Sequence, residues 1–311
     1  MYFYSMQTVL ITGGTGMIGQ ALAKQLLANG YDVIILSRNP KRSSRQHLTY
    51  AKWDIEKGEI DEYALVNTNI IVHLAGEGVA DKRWSDKRKQ AILDSRVQSG
   101  NLLVKALSEN KHQVKTFIAA SAIGWYGPDT AASLEDGFVE TDAADNSYLG
   151  NTCQLWEQST EAIGGMGIRL VRLRIGIVFN KKGGALAEFL KPAKFALATI
   201  LGNGKQLVSW IHQADLCKMI QYAIETPALQ GVYNAVAPNP VTNKKLVLTI
   251  AKNIYPIYFP SFVPGFLLKI ILGEMSIEVL KSTNVSAQKI QDAGFVFDYP
   301  NVEEAIIDLI K

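Results

Sequence analysis

The sequence predicts an α/β fold, with a doubly wound parallel sheet followed by a smaller C-terminal domain. Short β-branched runs alternate with longer helical patterns through the first half, which is typical of βαβ units. The strand runs are continuously apolar, as expected when helices cover both faces of a parallel sheet. Six of the ten prolines lie beyond Ala237, which indicates that the regular alternation ends there.

The elements can be placed along the chain in order. The first strand is predicted at 8–12, and the first helix, at 17–30, is ended by Gly30. Further strands are predicted at 32–37, 69–75, 115–121 and 168–179, with helices at 84–108 and 147–158. A strand, a turn and a helix are predicted at 209–225, in a segment near 205–235 that returns to the sheet. We therefore expect one domain at 1–236, with insertions near 180–205, and a smaller cap domain at 237–311.

Composition limits the classes of function. The net charge is only +3, with 48% hydrophobic and 20% charged residues, which is ordinary for a globular protein. The chain lacks the basic stripe with interleaved aromatic residues that nucleic-acid binding requires, so no nucleic-acid partner is expected. Cys153 and Cys217 lie far apart without metal-ligand spacing. We therefore expect no metal site and no disulfide framework, and a reducing, cytoplasmic location.

One apolar run bears on membrane association. Residues 262–275, FVPGFLLKIILGEM, are too few to span a bilayer and are interrupted by Pro264 and Lys269. We predict a helix there that faces the core, and no membrane partner.

A glycine-rich turn, TGGTGMIG at 12–19, follows the first strand and opens the first helix. In this context Gly13, Gly16 and Gly19 let the backbone turn tightly and approach a pyrophosphate at the helix N-terminus. The spacing is a weak signal by itself and a strong one inside a βαβ unit. The alternative is a turn that binds nothing.

The end of the second strand decides which dinucleotide fits. An acidic residue there would bind the ribose 2′-hydroxyl of NAD, but the sequence has Ser37-Arg38. A guanidinium at this point can pair with a 2′-phosphate, so Arg38 favours NADP, with a solvated basic loop as the alternative. Downstream, Asp54 suits a contact with the adenine edge, and His73 is expected to be a packed core histidine.

Taken together, the motifs resemble the extended short-chain dehydrogenase/reductase superfamily, the branch of sugar-nucleotide epimerases and dehydratases. The segments that carry the resemblance are TGGTGMIG, SRNP, HLAGE, SAIGWYG, RIGIVF and SWIHQAD. More narrowly, the chain is similar to epimerase-like proteins whose C-terminal cap has no known function, through HLAGEGVADKRWSDKRKQAILDSRVQS, NAVAPNPVTN, ILGEM and AGFVFDYP. The likeness spans nearly the whole chain.

The resemblance implies a Rossmann fold that binds NADP (NAD is possible) and a small-molecule substrate under the cap, in a monomer or homodimer. By resemblance, the remaining cofactor contacts fall on the glycine loop, on the end of the strand at 69–75, on the helix that follows and near 177–178. The residues concerned are Thr15, Met17, Ile18, Leu74, Ala75, Gly76, Glu77, Arg96 and Ile177. Arg96 could equally be an ordinary surface charge.

The usual proton relay of this superfamily is not evident. Its ordinary members carry a Tyr and, four residues later, a Lys whose ammonium lowers the pKa of the phenol. Aligning the helix at 147–158 puts Leu149 in the Tyr position and Cys153 in the Lys position, while the Ser position falls on Ala122. Tyr148 is one residue out of register, which turns its side chain by about 100°.

Three residues are candidate substitutes: Ser121, Tyr126 and Tyr148, all placed where a strand end and a helix should face the nicotinamide. Arg174 at the end of a strand could meet an anionic substrate or a backbone carbonyl. We expect Cys153 to be inert, since no His or Lys adjoins it. The function predicted is an NADP-binding, epimerase-like oxidoreductase on an unidentified, nucleotide-sugar-like small molecule. The alternatives are a sensor or scaffold with little turnover, and a reductase whose substrate supplies the acidic group.

Overall fold

A large mixed sheet dominates the computed structural model, which describes residues 7–181 and 183–310. Its strands are β1 Thr8–Thr12, β2 Asp32–Ser37, β3 Leu48–Asp54, β4 Glu59–Ile60, β5 Ile70–His73, β6 Thr116–Ala122, β7 Arg169–Ile175 and β12 Gly231–Ala235. They lie in the order β12-β7-β6-β5-β1-β2-β3-β4, and every neighbouring pair is parallel except β3 and β4. The predicted α/β class with a doubly wound parallel sheet is confirmed.

Helices flank this sheet and build the C-terminal part. They are α1 Met17–Ala28, α2 Glu62–Val66, α3 Asp86–Glu109, α4 Ala131–Asp136, α5 Tyr148–Gln158, α6 Ala162–Gly165, α7 Gly184–Ala193, α8 Gln213–Glu225, α9 Asn243–Ile254, α10 Gly265–Leu272, α11 Ser276–Leu280, α12 Gln288–Asp292 and α13 Val302–Ile310. Single turns of 3₁₀-helix span Ile123–Trp125 and Gly273–Met275.

The sheet is buried on both faces because its strands are apolar at successive positions. In β1, Val9 and Ile11 pack in one core cluster with α1 and α8, while Leu10 packs in a second cluster with α3. Residues 285–297 near the C-terminus also contribute to the first cluster. The division at 236/237 remains a prediction from the sequence, since this packing crosses it.

In the described part of the chain, six short strands lie outside the main sheet, and two of the pairs that they form link residues 197–208 to the C-terminal part. These are β8 Ile177–Phe179, β9 Leu197–Leu201, β10 Leu207–Val208, β11 Trp210–His212, β13 Val241–Thr242 and β14 Phe259–Val263. They form three two-stranded sheets, β8 with β11, β9 with β14, and β10 with β13. Residues 237–310 contain five α-helices together with β13 and β14, so the part predicted as the cap holds both helices and strands.

The predicted strand at 168–179 is in fact two strands. Gly176 separates β7 from β8, and a Cβ at this position would lie 2.7 Å from the Val236 side chain and 2.8 Å from the Ser209 carbonyl oxygen. The chain therefore leaves the main sheet at Gly176 and pairs with β11 instead.

The prediction that residues 262–275 form a core-facing helix was wrong. Of the eight residues of α10, only Leu268 is buried, while Phe266, Leu267, Ile270 and Ile271 are exposed. Across residues 7–181 and 183–310, none of the helices combines the length and apolarity that crossing a bilayer needs.

Candidate functional site

Most of the predicted cofactor residues meet at one edge of the sheet. Parallel strands place their carboxyl ends at the same edge, and β1, β2, β3 and β5 are neighbours there. The glycine loop follows β1, Ser37-Arg38 end β2, Asp54 ends β3 and residues 74–77 follow β5. The chain winds outward in both directions from β1 and β5, and ligands of open α/β sheets bind at such a switch point.

The glycines of the loop are required by close approaches inside the protein. Gly13 has a φ of +67°, and a Cβ there would lie 2.7 Å from the Leu74 carbonyl oxygen. A Cβ at Gly19 would lie 2.4 Å from the Gly13 carbonyl oxygen. The loop therefore packs tightly against the end of β5, and α1 begins directly after it.

The N-terminus of α1 is open. Its N-cap is Gly16, which has no side chain to bond the first backbone N–H groups. Those N–H groups are positive in character and suit an anion such as a pyrophosphate. Thr15 precedes Gly16, Met17 and Ile18 follow it, and the Met17 carbonyl accepts a hydrogen bond of 2.8 Å from the Gln213 side chain.

His73 and Thr12 fix the start of the loop that follows β5 through hydrogen bonds. The Thr12 hydroxyl lies 2.7 Å from His73 Nδ1 and accepts hydrogen bonds from the backbone N–H groups of Leu74 and Ala75, each 3.1 Å long. Complete burial lowers the pKa of His73 to about 4. His73 is therefore a neutral core residue, as predicted.

The basic side chain at the end of β2 is available to a ligand. Arg38 is exposed and takes part in no salt bridge with any described residue, and the Ser37 hydroxyl accepts a hydrogen bond of 3.2 Å from the Asn39 N–H. Asp54, by contrast, closes a turn, since its carboxylate accepts a hydrogen bond of 3.2 Å from the Lys57 N–H. An adenine contact would have to share that carboxylate.

The loop after β5 is fixed by α3. Glu77 forms an ion pair with Arg88, which also donates a hydrogen bond of 2.6 Å to the Gly78 carbonyl. The Glu77 N–H donates to the Ser95 hydroxyl at 3.0 Å. Gly76 lies over α3, where a Cβ would be 3.3 Å from the Arg96 guanidinium carbon.

Arg96 is a buried cation beside this loop. It is 9% exposed, donates 2.9 Å to the Ile92 carbonyl and stacks on the Trp156 ring, 4.9 Å from its centroid. Within the described chain, no carboxylate pairs with it. Burial lowers the pKa of its guanidinium, which means that the charged form has lost solvation without gaining a full counter-charge.

Leu149 and Cys153 both lie against the turn that follows β6. A Cβ at Gly124, in the turn after β6, would lie 3.2 Å from Leu149 Cβ and 3.4 Å from Cys153 Sγ. Both side chains therefore face the carboxyl end of β6. Burial raises the pKa of the Cys153 thiol to about 12, so the thiol is protonated at neutral pH.

Tyr148 points away from that strand end. Its hydroxyl donates 2.8 Å to the Lys89 carbonyl in α3, and its ring contacts Trp84 edge-on at 5.0 Å between centroids. Burial raises the pKa of its phenol. These contacts give Tyr148 a place in the packing of α5 against α3.

Ser121 and Tyr126 belong to a buried polar network centred on Arg174. The Ser121 hydroxyl donates 2.7 Å to Glu157, which also accepts a 2.9 Å hydrogen bond from Arg174. The Tyr126 hydroxyl donates 2.7 Å to Asn234 and accepts 3.0 Å from Arg174. Tyr126 is fully buried, and this burial raises the pKa of its phenol to about 12.

Sequence reasoning missed Glu157, the carboxylate of this network. The signal was its spacing, because Leu149, Cys153 and Glu157 recur every four residues on one face of α5. Arg174 also reaches a backbone carbonyl, that of Glu140 at 3.1 Å, which was one of its two predicted partners. No group of three or more metal-ligating side chains occurs among the residues described.

Two family matches cover most of the chain. Residues 9–236 match the NAD dependent epimerase/dehydratase family, and residues 263–309 match a domain of unknown function, DUF1731. The first match spans the main sheet and the glycine loop, and the second begins at the end of β14.

Relatives with the same extent are known. The epimerase family protein YfhF of Bacillus subtilis is 38% identical over 304 residues, covering 97% of both chains. An epimerase family protein of Staphylococcus haemolyticus is 33% identical over 305 residues, which cover 98% of this chain and 99% of the relative.

Solved structures share the fold. The human epimerase family protein SDR39U1 (isoform 2), solved with NADPH, superposes with a TM-score of 0.87 at 26% identity, covering 97% of this chain and 99% of that one. A UDP-N-acetylglucosamine 4-epimerase of Bacillus cereus superposes at 0.75 with 20% identity, over 97% and 95% of the two chains, and shows the fold alone. The chain therefore belongs to the NAD dependent epimerase/dehydratase family, and its C-terminal part matches the domain of unknown function DUF1731.

Proposed function

We propose that this protein binds NADP across the carboxyl edge of its sheet and acts as an oxidoreductase on a small molecule held beneath the cap. The observation that carries the choice of NADP is Arg38, an exposed guanidinium at the end of β2 where Ser37 replaces an acidic residue. A 2′-phosphate supplies the counter-charge that Arg38 lacks, whereas a bare 2′-hydroxyl does not.

The residues on the edge of the sheet fit the rest of that cofactor. The open N-terminus of α1 would hold the pyrophosphate, with Gly13 and Gly16 keeping the backbone close. Leu74 and Ala75, fixed by Thr12, would line the path toward the nicotinamide. When bound, the nicotinamide supplies or accepts a hydride. The NADPH in the human relative supports this assignment.

Arg96 is assigned to the same ligand. Its guanidinium packs on Gly76, beside Cys153, the residue that the sequence alignment puts in the lysine position. A buried guanidinium with a single carbonyl partner has several donors left for ribose or phosphate oxygens. In this proposal Arg96 positions the cofactor, as the lysine does in ordinary members of the family. Arg96 does not carry a proton, because a guanidinium is too basic to release one near neutral pH.

Proton transfer is left without an evident protein donor. Tyr148 bonds to α3, Tyr126 and Ser121 are bonded within the Arg174 network, and the Cys153 thiol is buried. The substrate class proposed is therefore an unidentified, nucleotide-sugar-like molecule that carries its own acidic proton. Of the three candidates in the sequence, Ser121 alone lies in a strand, one residue before the end of β6, and a ligand would have to displace its bond to Glu157.

The cofactor assignment is tested by titrating NADPH and NADH into the wild-type protein and two variants. Arg38→Ala should weaken NADPH binding about ten- to a hundredfold, because a charge-assisted hydrogen bond is worth about 1.5–3 kcal/mol. NADH binding should change little. Arg42→Ala, an exposed arginine of the same loop, is the matched control. Equal wild-type affinities for the two nucleotides would refute the assignment.

The burial of the candidate acids supports a second function, an NADP sensor with little turnover. The two functions differ in whether bound NADPH is consumed when pools of carbonyl compounds or nucleotide-sugars are added. Oxidation at a steady rate would support the enzyme, and a change of nicotinamide fluorescence without oxidation would support the sensor. Tyr148→Phe and Cys153→Ala should leave any activity nearly unchanged, because neither group is free to move a proton.

A further inference from the structure

The C-terminal part carries a large exposed apolar surface. We call it the cap patch, and its residues are Tyr255, Ile257, Phe259, Phe262, Phe266, Leu267, Ile270 and Ile271. Phe266 is 63% exposed and Ile270 is 66% exposed, one turn apart on α10. At roughly 100 Å² for each of these side chains, their summed exposed area exceeds the largest apolar patch of a typical monomer, about 300–600 Å². Such a surface indicates a partner.

A basic cavity adjoins the cap patch. It has a volume of about 300 Å³ and is lined by one face of α9 and by the residue before β14, namely Thr242, Lys244, Lys245, Leu248, Thr249, Lys252 and Tyr258. Lys245 pairs with Glu303 at 2.8 Å, whereas Lys244 and Lys252 form no ion pair within the described chain. The cavity thus offers two uncompensated ammonium groups next to exposed aromatic side chains.

The chain segment that carries the cap patch is basic. Residues 237–272, which contribute every residue of the cap patch, include four lysines and no Asp or Glu. Two copies joined through the cap patch would bring these lysines together, which opposes a symmetric dimer. An anionic partner that also accepts apolar side chains satisfies both properties.

We propose that the cap patch and the lysine cavity dock on a bilayer surface that contains anionic phospholipids. The cavity would take a lipid phosphate, and Phe266 and Ile270 would enter the boundary between headgroups and acyl chains. The sequence-based expectation of no membrane partner considered only spanning segments, and docking requires none. The proposal does not depend on the cofactor.

The test is co-sedimentation of the full chain with vesicles of phosphatidylcholine alone, or with one third of the lipid replaced by phosphatidylglycerol. Binding is expected only to the anionic vesicles and should weaken as salt is raised. The double variant Lys244→Gln/Lys252→Gln should bind about 25-fold more weakly, since each lysine contributes about fivefold. Lys24→Gln/Lys105→Gln, exposed lysines on α1 and α3, should bind as the wild type does.

The apolar contribution is tested separately. Phe266→Ser/Ile270→Ser should abolish sedimentation with anionic vesicles, while Tyr63→Ser, at a side chain that is 79% exposed on α2, should not. These side chains are exposed, so the variants should fold, and an unchanged affinity for NADPH checks that they do.

Three results would overturn the proposal. The first is no sedimentation, or equal sedimentation with both kinds of vesicle. The second is a dimer in sedimentation velocity that Phe266→Ser/Ile270→Ser dissociates, which would make a second copy the occupant. The third is full displacement from vesicles by millimolar glycerol phosphate with no effect of the apolar variant, which would reduce the cavity to a site for soluble phosphate.

Discussion

At the scale of single residues, His73 shows how the end of β5 is kept in place without charge. It lies 2.7 Å from the Thr12 hydroxyl on one side and 3.3 Å from the Ser99 hydroxyl on the other. A charged imidazolium here would have neither water nor a carboxylate, which is why burial lowers its pKa to about 4. The loop that precedes Gly76 therefore rests on neutral hydrogen bonds.

This burial predicts a pH dependence of stability. The folded-state pKa lies below the ordinary value of about 6.5, so the unfolded chain takes up the proton first as the pH falls. Stability is therefore full above about pH 6.5 and is lost as the pH falls toward about 4. Between pH 7 and pH 5 the loss from this one group should be about 2 kcal/mol. Urea unfolding at both pH values should show a smaller difference for His73→Gln than for the wild type.

The glycine loop makes a second residue-scale prediction. Gly19→Ala should destabilise the protein by about 1–3 kcal/mol and weaken NADPH binding, because the new Cβ would overlap the Gly13 carbonyl. Gly164→Ala, where nothing lies within 4 Å of the new Cβ, should instead stabilise by up to about 1 kcal/mol through helix propensity. Thermal melts and nucleotide titrations measure both effects. Similar behaviour of the two variants would contradict the close packing described for the loop.

At this scale, the sequence predicted which types of residue occupy the candidate site better than it predicted the contacts of their side chains. The glycine spacing and the missing acid after β2 are local patterns, and both could be read directly. Tyr148 could not be placed, because its bond to Lys89 depends on how α5 packs against α3, 59 residues away in the chain. The burial of Tyr126 depends in the same way on Asn234, 108 residues away.

At the scale of elements, one ion pair joins α5 to β7. Arg174 and Glu157 are both almost completely buried, and the two form hydrogen bonds of 2.9 and 3.2 Å. The guanidinium also stacks on Trp125, 3.7 Å from its ring centroid. This contact holds α5, with Leu149 and Cys153, against the strand end that faces the candidate site.

Removing the carboxylate should therefore cost far more than removing an exposed one. Glu157→Ala leaves the Arg174 charge buried without a partner and should destabilise the protein by about 3–5 kcal/mol. Glu188→Ala breaks the 2.7 Å pair with Lys191, but both side chains are 68% exposed, and the expected loss is below about 1 kcal/mol. Chemical denaturation of both variants gives the comparison. Equal losses would show that the Arg174 network is not the contact that holds α5.

At this scale, most strands of the main sheet could be located from the sequence, because they are continuous apolar runs. The strand β3 was missed, since polar residues alternate along it and only Ala51 and Trp53 are buried. The break at Gly176 was also missed, because the apolar run continues through it while the chain changes its partner from β6 to β11. The α10 pattern suggested a core helix, and apolarity alone cannot tell burial from an exposed interface.

At the scale of the whole molecule, the C-terminal segment packs directly against the core of the main sheet. Phe295 and Phe297 pack in the same cluster as β1 and α8. The buried Asp215 in α8 accepts hydrogen bonds of 2.8 Å and 2.9 Å from the backbone N–H groups of Asp298 and Tyr299. The segment that leads into α13 is therefore fixed by a carboxylate of the nucleotide-binding part.

Asp215→Ala should release this segment first. The substitution removes two charge-assisted hydrogen bonds, worth about 1.5–3 kcal/mol each, and leaves two backbone N–H groups without acceptors. Hydrogen exchange should then speed up across 298–310, while the amides of β1 and β6 keep their protection, because opening of the C-terminal segment does not require the sheet to open. Asp298→Ala is the matched control, since it breaks only the exposed pair with Lys218 on the same helix and should barely change exchange. If Asp215→Ala accelerates exchange in β1 and α13 equally, the molecule unfolds only as one unit, and the C-terminal segment has no separate opening. If exchange in 298–310 does not change, the packing of Phe295 and Phe297 alone holds the segment.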